Sequence, residues 1–138
     1  MKRSFFLTAV LLTSLLGKAD AQQTIAPTVS SIPVIWDTNT TVANGTIPIL
    51  LPPWKGGGRV ISCSYYTTTG SFTATINIGG TPVSGCSAIS VASATPATST
   101  ATSNNVFTSA SSLSLVITSA AGSPNGALFQ VNVWSSSN

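Results

Sequence analysis

From Gly70 to Asn105 the chain carries no charged residue and no histidine, and Ser, Thr, Ala and Gly make up most of it. A helix facing water needs a flank of long polar side chains opposite its apolar stripe, and Glu, Lys and Gln are nearly absent here. Threonine is β-branched, stiff at χ1 and suited to a pleated surface. Such a segment can pair backbones in strands and cover itself with hydroxyls, and it can do little else. No later window shows apolar residues spaced by three to four, whereas period two is frequent. Phe72, Ala74, Ile76 and Ile78 alternate with Thr73, Thr75 and Asn77, the cleanest half-buried strand in the chain.

The chain opens with Met1, Lys2 and Arg3, then an apolar run from Phe5 to Leu16, then the small residues Ala19 and Ala21 flanking Asp20. That pattern predicts a secretory leader over residues 1–21, with an apolar run too short to span a bilayer. An uncleaved anchor is the alternative. Cleavage leaves Lys55, Arg59 and Asp37, so the formal charge falls from +3 to +1. Two cations cannot displace enough counterions to hold a phosphate backbone, which speaks against nucleic acid. The expected location is secreted, periplasmic or cell-surface, with no membrane insertion after cleavage.

Residues 22–31 read as a flexible arm, and residues 32–138 as one domain. The runs 32–36 and 47–51 are extended, and the prolines inside them, Pro33 and Pro48, point to sheet edges. Asn44–Gly45 between the runs reads as a tight turn. Ile61, Cys63 and Tyr65 alternate with Val60, Ser62, Ser64 and Tyr66. Gly79–Gly80 signals a hairpin, and Ile89–Ser90–Val91 continues the alternation. The tract 92–102 reads either as a strand of small side chains or as a low-complexity linker. Asn104–Asn105 turns the chain, Leu113, Leu115 and Ile117 face inward, residues 120–126 form a loop, and Ala127, Phe129, Val131 and Val133 make the last inner row. Seven to nine short strands predict an all-β fold, a single antiparallel β-sandwich of jelly-roll or immunoglobulin-like type.

Two cysteines in an exported chain, Cys63 and Cys86, read first as a disulfide. Two buried thiols acting as small apolar residues are the alternative. The groups that catalysis requires are scarce. The chain has no histidine and no glutamate, and one aspartate once the leader is removed. Paired-carboxylate hydrolysis needs two acids, and a serine nucleophile needs an activating base, for which Lys55 sits in an exposed glycine-rich setting. Imidazole and thiolate clusters for a metal are missing as well. The sequence thus reads as a non-enzyme without cofactor or metal. Recognition would fall to aromatics, and the candidates are Trp36, Trp54, Tyr66 and Trp134, each of which can equally serve as a core or edge anchor.

The runs TTTGSFTATINIGGTPVSGCSAISV and ATPATSTATSNNVFTSASSLSLVITSAAGSPNGALFQVNV cover about the last half of the chain. They resemble a β-rich module of bacteriophage virion proteins, of the tail-fibre and head-decoration types. Cys86 stands where that pattern has an aliphatic residue, and a leader precedes it, so the chain reads as an exported relative. The resemblance implies a structural or attachment role, often as a homotrimer, in a virion or at a cell surface, and transfers no catalytic residue. The expected function is therefore contact with a protein or surface. The alternative is a secreted carbohydrate-binding module that uses exposed Trp and Tyr on a cell-surface glycan.

Overall fold

The computed structural model describes residues 28–36, 40–50, 57–92 and 95–135. The leader expected over residues 1–21, Trp54 and the side chain of Trp36 lie outside what is described. The described residues form ten strands and no helix: β1 Thr28–Trp36, β2 Gly45–Ile49, β3 Gly58–Tyr66, β4 Thr69–Ile78, β5 Thr81–Pro82, β6 Ile89–Ala92, β7 Ala97–Thr100, β8 Val106–Phe107, β9 Leu113–Asn125 and β10 Leu128–Ser135.

Two antiparallel sheets result. Sheet A has the order β1-β10-β3-β7, with β8 also on β3, and sheet B the order β2-β9-β4-β5, with β6 also on β4. The chain changes sheet between β1 and β2, β2 and β3, β3 and β4, β6 and β7, β8 and β9, and β9 and β10. With β5–β6 and β7–β8 each acting as one interrupted edge strand, this is the winding of a jelly roll. An immunoglobulin-like sandwich divides its strands between the sheets differently.

The inner faces follow from the alternation. Phe72, Ala74 and Ile76 of β4 and Leu113, Leu115 and Ile117 of β9 meet Phe129, Val131 and Val133 of β10, all buried. Tyr65 stacks on Phe129 with centroids 6.2 Å apart and planes at 18°. Cys63 of β3 and Cys86, which follows β5, form a disulfide with Cα atoms 6.1 Å apart, tying sheet A to sheet B through the core. Proline falls at the edges as expected, Pro33 on β1 and Pro48 on β2.

Several expectations need correction. Thr28–Ser31, read as part of a flexible arm, belong to β1 and pair with Ser135–Asn132. Asn44–Gly45 turns no hairpin, because β1 and β2 lie in different sheets. The Asn44 side-chain oxygen instead accepts from the backbone N–H of Ala120 at 2.8 Å. Residues 120–125, read as a loop, continue β9, whose breakers produce register shifts against β4 and left-handed φ at Gly122 and Ser123. Among the described residues of 92–102, Ala92 ends β6 and Ala97–Thr100 forms β7. The alternation in β3 breaks at Ile61, an extra residue with no partner on β10, where Ser62 faces Asn132 and Val60 faces Val133. Such a bulge reverses which side chains point inward. Val60 is consequently buried and Arg59 exposed.

Candidate binding face and groove

Register places residues directly opposite one another on the same face of an antiparallel pair. On the outer face of sheet A, Ser31, Asn132 and Ser62 form one row across β1, β10 and β3. It is zipped by Ser31 Oγ donating to Asn132 Oδ1 at 2.7 Å and Asn132 Nδ2 donating to Ser62 Oγ at 2.9 Å. Ser64 Oγ lies 3.0 Å from Thr98 Oγ1 in the adjoining row. These short side chains satisfy each other, so this part of the face is flat and polar.

The terminal row differs. Val29, Trp134, Arg59 and Val106 stand side by side across β1, β10, β3 and β8. Val29 and Val106 are each 64% exposed and Trp134 is 38% exposed, three of the four large hydrophobics that the described residues leave in solvent. Arg59 is the single charged side chain among the described residues. An apolar row with one cation, next to a row of hydroxyls and amides, is the feature of this surface that packing does not require.

A groove of about 390 Å³ opens beside the row, lined by Arg59, Val60, Ile61, Thr100, Ala101, Thr102, Asn105 and Trp134. Its origin is local. After Ala101, whose N–H still donates to Ile61 O at 2.8 Å, the chain leaves the edge of β3 and crosses toward sheet B, where Thr102 N donates to Ser84 O at 2.8 Å. It returns at β8 to pair with Arg59. Asn105 fills the gap left between β7 and β8. Its carbonyl accepts from Val60 N at 2.8 Å and its side-chain Nδ2 donates to Val60 O at 3.0 Å, mimicking the missing strand. The bulge at Ile61 and the split edge strand together make the groove and turn Arg59 toward it.

Of the four aromatic candidates, Trp134 lines this groove. Tyr66 is opposite Leu128, six residues along β10 from Trp134, which at strand rise is about 20 Å away. The two therefore share no site. The Trp36 backbone is opposite Leu128 on the other side, and Trp54 lies outside the described residues. Arg59, Asn105 and Val106 were not singled out in the sequence. The available signal was that Arg59 is the last charge in the chain, but its direction depends on a bulge that alternation does not show.

No protein-family model matches this chain, and neither does any curated protein. Among solved structures, the chain is similar to one described as the structure of infectious bursal disease virus Gx strain, at 15% identity and a TM-score of 0.44. The match covers 82% of this chain and 33% of that one, so this chain spans about a third of its length.

Proposed function

We propose that the protein is a non-catalytic, exported structural or attachment module that works through the outer face of sheet A, against a protein or a cell-surface glycan. The observation that carries this reading is the row Val29–Trp134–Arg59–Val106, which exposes apolar area beside the polar row Ser31–Asn132–Ser62. Exposed aromatic and Arg side chains are what interface centres are enriched in. The absence of histidine and glutamate from the chain supports a role without proton transfer. A virion-type or cell-surface setting, with assembly as a homotrimer, fits the leader expected from sequence over residues 1–21 and the resemblance of the C-terminal half to phage virion modules.

The second reading, a secreted carbohydrate-binding module, is favoured by one observation, the groove beside Trp134. Sizing by light scattering, retention on intact cells and turnover of ester, glycan and peptide substrates test the primary reading. Retention or self-association is expected without turnover, and Trp134→Ser/Val106→Ser should weaken it about tenfold or more at an unchanged unfolding temperature. Turnover, or a variant that attaches as well as the wild type, overturns it.

A further inference from the structure

We infer that the groove beside Trp134 is a subsite for a short saccharide bearing a carboxylate on its ring. This rests on the attachment reading and names the chemistry of one contact within it. Three features of the groove converge on one ligand class. Trp134, 38% exposed at the groove wall, offers an apolar face of the size of a sugar ring. Thr100 and Thr102 supply hydroxyls that no hydrogen bond among the described residues uses. Those groups suit any pyranose, whose faces are apolar and whose rim is hydroxylated.

Arg59 narrows the choice. It faces Trp134 directly across the β3–β10 pair, so the two side chains emerge about 5 Å apart at Cβ. No described residue carries a negative charge, and nothing described in the sandwich pairs with this guanidinium. Its planar fork matches a carboxylate through two parallel hydrogen bonds. A single cation suits a ligand with one negative charge per ring and not a polyphosphate, which requires several. Half-buried Ile61 and Ala101 add apolar surface to the lining beside this cation. A volume of about 390 Å³ lies within the usual range for small-molecule clefts, about 300–1,000 Å³.

Tryptophan fluorescence and calorimetric titration of the purified protein test this with defined probes: a galacturonate trisaccharide, a glucuronate-containing tetrasaccharide, sialyllactose, the methyl ester of each, a neutral cellotriose and a sulfated galactan oligosaccharide. At least one carboxylate probe should bind, and its methyl ester about tenfold or more weakly. The arm that binds distinguishes a uronate from a sialate source. Arg59→Gln should bring the acid down to the affinity of its ester without changing the ester. Trp134→Ala should weaken both, and Thr118→Ala, exposed on sheet B, neither. No binding of any carboxylate probe, equal binding of acid and ester, or preference for the sulfated probe overturns the inference. If none binds while cell retention still depends on Trp134 and Val106, the subsite falls and the attachment reading stands. If retention is independent of that row as well, both fall.

Discussion

Thr67 shows how the chain uses hydroxyls where other proteins use charges. It is fully buried at the corner where the chain passes from β3 to β4, and its Oγ1 donates to the carbonyl of Thr69 at 2.8 Å. Next to it, Thr68 binds the Asn125 carbonyl through its backbone N–H at 3.0 Å and its hydroxyl at 2.9 Å, at the matching corner between β9 and β10. The two sheet crossings are thereby clasped to one another. Thr67→Val keeps the shape and strands the carbonyl, so it should lower stability by about 1–3 kcal/mol, read from denaturant unfolding. Phe129→Ala, at a fully buried position stacked on Tyr65, should cost about 3–5 kcal/mol in the same measurement. Phe129 was legible from alternation alone. Thr67 and Asn105 were not: composition says only that such residues favour turns, and it shows neither that the Thr67 corner is buried nor that Asn105 reaches the carbonyl of Val60, 45 residues away.

Strands that alternate without interruption, β4 and the inner row of β10, were readable directly, and so were the proline-bearing edges. The misread elements share one cause. Bulges at Ile61 and near Ser71 depend on which strand lies opposite, and a single sequence does not show partners. Residues 120–125 carry breakers that mark a loop by local rules, yet β4 keeps them paired as an irregular strand. The Gly79–Gly80 hairpin, by contrast, is set by local chemistry. Both glycines have positive φ, 56° and 82°, as the mirror-image turn preferred between twisted strands requires. A Cβ at Gly80 would meet no atom within 4 Å. Gly80→Val therefore tests backbone conformation without steric conflict and should cost about 1–2 kcal/mol, whereas Gly79→Asn should be nearly neutral by thermal unfolding.

At the scale of the whole molecule, a thin sandwich of small side chains is held across its interior by the Cys63–Cys86 bond, which spans 23 residues of sequence and joins the two sheets. Cys63→Ala/Cys86→Ala should lower the unfolding free energy by about 3 kcal/mol, with a matching loss on reduction of the wild type. The sandwich was legible in composition and periodicity. The jelly-roll winding was not, since sheet changes are made by long-range pairing. The surface logic emerges only from the assembled fold, in which four strands from distant parts of the chain align Val29, Trp134, Arg59 and Val106. Hydroxyl-radical footprinting of the protein free and bound to cells tests whether that row is the working surface, with Leu50, 85% exposed and outside the row, as the internal control. Trp134 and Val106 should lose labelling on attachment while Leu50 keeps it. Protection of Leu50 with Trp134 still fully labelled would contradict the assignment of the working face.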